Sequence, residues 1–434
     1  MKVEYGSQIC AFGGYYFLIE FLDKLGIGQL LMDELPQLPA QSQYNWREII
    51  YSLWSVPFCG GSALEDINCN LRFQFSDNPI LKVPNADRVG ARLRELSSGT
   101  KIVMALRGDT EHQFSWSDTM NQLLMKTVLA CGFDTKAGHV LDYDNTILAC
   151  RKSDVTKTYK KGVRGYQPGV ATIKDLVVFV EQRNGNSPAG SAQVETLERL
   201  FEVLDKSAIK IKKFRADSAS FQWRIMRLLE GKGIKYYLRG AKNQGVVRQI
   251  AKIDNWQSVD IEGKENAFRG SIKYSPSQST CSEIGMDPKF ETRIVVTKWD
   301  NENGQLNAFT KEACSYSVLA TNDQKMHCDK VVAFYNARGE SELHFKELKN
   351  DFGWNNLPFS HLGQNYVYLV FMAMCKNLYK CAIAHFSQSH PLLKPHYHLK
   401  KFRFRFISIP AKWIKSGRQY ILRIFSQLRF YHIP

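Results

Sequence analysis

The sequence predicts an α/β protein. A mixed sheet should form its centre, with a mainly helical segment ahead of the sheet and a β-rich stretch interrupting it. Three observations carry this. Up to about residue 130, apolar residues recur at helical spacing. From Gly138, β-branched alternating runs exchange with helix-periodic ones in the order strand, hairpin, helix, strand, helix, strand, which describes a mixed sheet. Between Asn243 and about Lys330, short β-like runs are separated by Gly, Asn, Ser and Asp with little helical period.

In chain order, Tyr15–Leu25 and Trp46–Trp54 read as helices. A Pro-bearing turn then precedes NADRVGARLREL, whose Val89 and Leu93 share a face while Asp87, Arg88 and Arg92 lie elsewhere. Such a short arginine-bearing helix fits either a major-groove recognition helix or a packed helix with one wet side. Thr110–Cys131 is expected as one long helix ended by Gly132. HVLDYDNTILAC is a strand, KTYKKGVRGYQPG a basic loop, and ATIKDLVVFVEQRNGN a hairpin. Ser187–Ala208 is a helix, IKKFRADSAS a strand, Phe221–Leu229 a helix and IKYYLRGA a strand. In the β-rich stretch, SIKYS, TRIVVTKWD and YSVLATN are the strands. VVAFYNARGE should resume the α/β pattern, with a strand giving way to a helix near Tyr335. A long apolar helix follows from about His361 to His385. These readings divide the chain into 1–133 (helical), 134–242 (sheet, first part), 243–328 (β-rich insertion), 329–390 (sheet, second part) and 391–434 (basic segment).

At 434 residues there is room for two or three domains with sizeable cores. A hydrophobic content of 44% with 23% charged residues is that of an ordinary globular protein and excludes a disordered or fibrous chain. The formal net charge is +16. From Pro391 onward there are ten Lys or Arg and no Asp or Glu, so the rest of the chain contributes +6. That tail interleaves cations with Phe, Ile and Trp. Lying on nucleic acid is the first reading of this pattern, and an amphipathic segment on a membrane the second. Ten cysteines occur with no C-x-x-C pair, which excludes a zinc framework or small disulfide scaffold and suits free thiols in a reducing compartment. MKVEYGSQIC lacks a signal peptide's apolar core, and the longest apolar run, Val367–Cys375, is too short to span a bilayer. The expectation is a cytoplasmic protein with no membrane partner.

Chemistry concentrates in three places. In YNARGESELHFKELKND, Glu342 and Lys349 are seven residues apart and share a helix face, joined by Arg338 four residues before Glu342, with Tyr335 just ahead. In FRADSAS, Asp217 leaves a strand for a helix. In LDYDNT, Asp142 and Asp144 point to the same side of a strand, so alternation does not choose between them. Three carboxylates from three segments, without His or Cys, suit hard cations such as Mg²⁺ or Mn²⁺. Two such ions can activate a nucleophile and stabilise a leaving oxygen at phosphorus.

The spacing Tyr335-x2-Arg338-x3-Glu342-x6-Lys349, the D-x-T of Asp144-Asn145-Thr146 and the R-x-D-S of Arg215-Ala216-Asp217-Ser218 together resemble the signature of DDE transposases of bacterial insertion sequences. The likeness covers nearly the whole chain, most loosely in the first 130 residues. It implies a ribonuclease H-like catalytic core and a helical DNA-end-binding domain. It selects Asp144 over Asp142, giving Asp144, Asp217 and Glu342 as catalytic, metal-holding residues for two Mg²⁺ ions (or Mn²⁺) and no small-molecule cofactor. The implied activity is cut-and-paste transposition. Ends would be nicked at the terminal inverted repeats of double-stranded DNA and joined to target DNA by a homodimer in a paired-end complex, in a bacterial cytoplasm at the nucleoid. Tyr335, Arg338 and Lys349 would grip the phosphate beside the cut. Trp299 is the residue on which a flipped base would stack, although a strand Trp is also ordinary core. Lys160, Lys161 and Arg164 form a loop suited to backbone phosphates or to solvent. Two rivals remain: a nuclease or resolvase of the same fold that cuts without joining, and an inactive relic that binds ends.

Overall fold

Burial of His139, Leu141, Asp142 and Tyr143 marks His139–Asn145 as the central strand of the protein, whose computed structural model describes residues 3, 9–105, 109–241, 243–301, 306 and 313–427. The helical part contains α1 (Gly13–Lys24), α2 (Ile27–Glu34), α3 (Trp46–Cys59), a short α4 (Arg72–Gln74) and α5 (Ala86–Glu95). α3 begins with a capping box between Asn45 and Glu48 and ends at Gly60, whose φ of 94° is the left-handed conformation that favours glycine. Next come β1 (Lys101–Met104), β2 (Glu111–Ser115), α6 (Asp118–Ala130), β3 (His139–Asn145), β4 (Leu148–Ala149), β5 (Thr156–Lys157), β6 (Arg164–Tyr166), β7 (Gly169–Ile173), β8 (Leu176–Arg183) and α7 (Gln193–Lys206). They are followed by β9 (Ile211–Ala216), α8 (Trp223–Gly231), β10 (Lys235–Arg239), α9 (Gln244–Ile250), β11 (Gln257–Ser258), β12 (Phe268–Tyr274), α10 (Gln278–Ile284), β13 (Thr292–Asp300) and β14 (Cys314–Thr321). The chain continues through α11 (Cys328–Asn336), α12 (Glu340–Asp351), α13 (Leu362–Ser389), α14 (Leu399–Phe402), β15 (Ala411–Ser416) and β16 (Gln419–Ile424).

One eleven-stranded sheet runs β1-β2-β8-β7-β3-β9-β10-β14-β13-β12-β11. Its centre, β8-β7-β3-β9-β10, has two antiparallel strands on one side of β3 and the parallel β9 and β10 on the other, the ribonuclease H-like arrangement. The fold class is the expected α/β one.

Several local readings are corrected. Thr110–Cys131 is not one helix. His112 and Phe114 are buried in alternation within β2, and Ser117 caps a helix that begins at Asp118. The Val331–Tyr335 run is helix rather than strand. It buries Val331 and Tyr335, four apart, against the sheet, and a 3₁₀ turn (Ala337–Gly339) connects it to α12. The helix expected from Ser187 starts at Gln193, after the Pro188–Gly190 turn. The basic loop contains β5 and β6, which pair with β4 in a small sheet. The β-rich insertion carries the three strands read from its sequence. They extend the central sheet, because β14 pairs antiparallel with β10.

The tail is part of the core. Phe402, Phe406 and Ile407 are buried in the same cluster as α1, α3 and α13, and Cys10 bridges to Ala411. A Cβ on Gly14 would overlap the Phe406 carbonyl, so glycine lets α1 approach this backbone closely. α13 is 28 residues long and apolar enough to cross a membrane, yet most of it lies buried inside the protein between the helical part and β8. All ten cysteines are free.

Candidate active site

β3 and β9 lie side by side in parallel, with Asp142 opposite Arg215 and Tyr143 opposite Ala216. One step further, Asp144 and Asp217 become neighbours at the carboxyl ends of two strands about 4.8 Å apart. Asp217 also caps the 3₁₀ turn Ser218–Ser220, accepting from the Ala219 N–H at 3.1 Å. Burial pushes the Asp144 carboxyl up to about 6; Arg338 pulls it down, and the Asp217 charge adds to the rise.

The two residues that alternation could not separate have different surroundings. Asp142 is held by both Nε and Nη2 of Arg215 at 2.7 Å, and Arg215 Nη1 donates to the Phe334 carbonyl at 2.8 Å. This bidentate pair is nearly buried and satisfies Asp142 within the protein. Asp144 stands at the rim, its Oδ2 2.7 Å from Arg338 Nη2. A small cavity lined by both aspartates, Val170, Thr172, His344, Phe345 and Leu348 separates the strand from α12.

The signature residues arrive from α11, the 3₁₀ turn and α12. Tyr335 is buried against Tyr237, Val295 and Leu319. Burial raises its phenol pKa; Arg338 and Arg239 oppose this, while Asp217 and Asp144 add to it, so the ring lies close to both carboxylates. Lys349 Nζ donates to the Ile147 carbonyl just past β3 at 2.9 Å. Its ammonium is pushed down by burial and by the charge of Lys160, which brings the basic loop beside it. Lys160, Lys161 and Arg164 are exposed, and Arg164 also donates to the Val155 carbonyl. Glu342 shares the Lys349 face of α12 but is exposed, with no hydrogen bond or ion pair among the described residues. Nor do three His, Cys, Asp or Glu side chains among the described residues converge on a metal-sized site. Trp299 is half-buried on β13 with Lys264 Nζ 3.5 Å from the ring centre.

α12 is anchored from behind by its other faces. Leu348 is fully buried, and Glu347 lies 2.9 Å from Lys380 and 3.6 Å from the buried Lys376 of α13. Burial brings the Lys376 ammonium down to about 8, and burial together with Lys376 brings His344 down to about 4.

Sequence reasoning did not single out Arg239, Lys264 or the Lys376–Glu347 contact. A cation closing the apolar strand IKYYLR was a usable signal for Arg239. Nothing local signalled the other two, which depend on pairing between distant segments.

A family model described as Transposase DDE domain group 1 matches residues 2–432. The chain is similar to a piggyBac transposase solved by cryo-EM as a synaptic complex with hairpin DNA. The identity is 10%, covering 91% of this chain and 79% of that one, with a TM-score of 0.47. It is also similar to the crystal structure of the Mos1 strand transfer complex, at 11% identity over 50% of this chain and 67% of that one, with a TM-score of 0.18. No curated protein matches.

Proposed function

The chain belongs to the DDE transposase family, domain group 1, and we propose that it is an insertion-sequence transposase that cleaves its element's terminal inverted repeats and joins them to target DNA. The observation that carries this reading is the juxtaposition of Asp144 and Asp217 at adjacent strand ends, ringed by Tyr335, Arg338 and Lys349.

The donor chemistry suits a divalent cation, with Asp144 and Asp217 at adjacent strand ends and Glu342 not converged on them among the described residues. Asp144 is a carboxylate that burial makes costly to ionise, and a guanidinium already compensates it. Asp144, Asp217 and Glu342 would hold Mg²⁺ or Mn²⁺, in our reading two ions. Such ions polarise phosphate oxygens and ease deprotonation of the nucleophile. The protein's own groups do the rest. The Tyr335 phenol keeps its proton at neutral pH and donates to a phosphate oxygen. Arg338 offers a planar fork and Lys349 a point charge to the same phosphodiester. In the first cut, a water oxygen bonds to phosphorus and the bond to the element's 3′ oxygen breaks, leaving a 3′-hydroxyl. In joining, that hydroxyl attacks a target phosphorus and displaces the target's 3′ oxygen. We assign the basic loop of Lys160, Lys161 and Arg164 to flanking phosphates and Trp299 to an unstacked base. A homodimer would pair the two ends at the bacterial nucleoid.

The test uses linear DNA with the element's two ends, a target plasmid, Mg²⁺ or Mn²⁺, and wild type beside Glu342→Ala. End-specific cuts and joined products from wild type alone are expected, with end binding kept in the variant. Cuts without joining would identify a nuclease instead. Binding without cuts in both proteins would identify a relic.

A further inference from the structure

The sheet does not stop at the acidic pair. Arg239, the last residue of β10, lies opposite Leu319 of β14. From there β14 and β13 continue as a ladder through Ser317–Thr297 and Ser315–Trp299. Four residues beyond Leu319 amount to about 13 Å of strand. The ladder therefore overhangs the carboxyl ends where Asp144 and Asp217 sit.

Side chains alternate along a strand, which determines what this overhang presents. Tyr237, Val295 and Leu319 share one face and pack on Tyr335. Arg239, two residues after Tyr237, lies on that face, as do Thr297 and Trp299, two and four residues after Val295. Three cations gather there. Arg269 is committed, with Nη1 on Asp329 and Nε donating to Thr297 Oγ1 at 3.1 Å. Arg239 has no hydrogen bond or ion pair among the described residues. Lys264 has no carboxylate partner among them, and its ammonium rests on the face of Trp299. Burial lowers the Lys264 pKa, and the charges of Arg239 and Arg269 lower it further, so the three cations are close enough to repel. Two cations without a carboxylate partner among the described residues, crowded beside a third that has one, are what an anion relieves.

The position fixes which anion. Strand order places β3 and β10 on opposite sides of β9. Lys349, bonded to the Ile147 carbonyl, and its neighbour Lys160 lie at the end of β3, and Arg239 ends β10, with Asp217 after β9 between them. A DNA strand crossing the carboxylates meets cations on both sides. We propose that Arg239 and Lys264 form a second phosphate site, which holds the DNA backbone on the sheet-extension side of the cut.

This rests on the transposase reading, and the test separates the two. Full-length protein is titrated with a fluorescent duplex carrying the element's terminal repeat, in salt from about 50 to 200 mM, and nicking is scored in parallel. Arg239→Gln and Lys264→Gln should each weaken binding about tenfold and flatten the log–log salt slope by about 0.7–0.9, one phosphate apiece. Arg239→Lys, which keeps the charge, should restore most of the slope. Lys210→Gln, exposed at the far end of β9, should change neither. If wild type nicks the end and both Gln variants keep its slope, the second site is wrong and the transposase stands. Weaker binding with an unchanged slope, not rescued by Arg239→Lys, would also overturn the site in favour of a structural role. Wild type that neither prefers the end nor nicks it would overturn both readings.

Discussion

Replacing Asp144 by Asn should make the protein more stable while abolishing cleavage. The structure supplies the size of the effect. Burial pushes this carboxyl from the usual 3.8 to about 6 in the folded protein. At about 1.36 kcal/mol per pH unit, holding it ionised opposes folding by about 3 kcal/mol. Its side chain is only 20% exposed, so little of this is lost to solvent screening. The raised folded value means the proton is bound more tightly in the native state. Wild type therefore has its full share of stability below pH 4, loses it as pH rises through about 6, and stays at the lower level above about 7. Asn keeps the shape, still accepts from Arg338 and never ionises. Unfolding entropy of about 2.1 cal/mol/K per residue gives about 0.9 kcal/mol/K for 434 residues. The Asn variant should then melt about 3 °C higher at pH 8 and at the wild-type temperature at pH 4. Differential scanning calorimetry across that range, without divalent cation, measures both. Adding Mg²⁺ at about a hundred times its dissociation constant should stabilise wild type by about 2.7 kcal/mol and close most of the gap. A variant no more stable at pH 8, or a gap that ignores pH, would refute the burial argument.

Asp142→Asn, two residues away, should act with the opposite sign. It leaves Arg215 nearly buried without its bidentate partner, at a cost of about 3 kcal/mol at neutral pH, read as a melting point about 3 °C lower. The tail should separate into two parts. Lys415→Gln, Arg418→Gln and Arg423→Gln together should leave melting unchanged, since all three side chains are exposed, and should flatten the salt slope of duplex binding by about 2.7. Truncation after His390 should instead unfold the helical part, because it removes the buried Phe402, Phe406, Ile407 and Ala411; loss of far-UV circular dichroism would report it.

What was legible in the sequence was periodic and local. The alternation of HVLDYDN gave β3, the stripe of Val194, Leu197, Leu200, Phe201 and Leu204 gave α7, and the apolar run after His361 gave α13. What was not legible depends on pairing at a distance. Asp142 and Asp144 are equivalent to any periodicity argument and differ only because the β3–β9 register puts Arg215 opposite one of them. Val331–Tyr335 is β-branched and aromatic enough for a strand, yet Val331 and Tyr335 are the positions that reach the sheet, a spacing of four that only a helix satisfies. The tail's cations suggested a surface segment. Its intervening Phe and Ile are what the N-terminal helices pack on, so charge and core share one stretch of chain.

The signature residues also divide by what already holds them. Tyr335 is buried, Arg338 is engaged by Asp144, and Lys349 by the Ile147 carbonyl, so three of the four are set in place by the protein itself. In the proposed reaction a phosphate oxygen takes over acceptor positions that these groups already satisfy. Little side-chain order then has to be generated on binding, which removes one part of the entropic cost of gripping a backbone. The exchange is favourable for Lys349, because a charged phosphate oxygen is a stronger acceptor than a neutral carbonyl. For Arg338 it is a trade of one anion for another, and releasing Asp144 would raise that carboxyl further. Phosphate binding by Arg338 is therefore coupled to a cation replacing the guanidinium beside Asp144. In the proposed reaction Glu342, the one exposed member, would complete that cation's ligands.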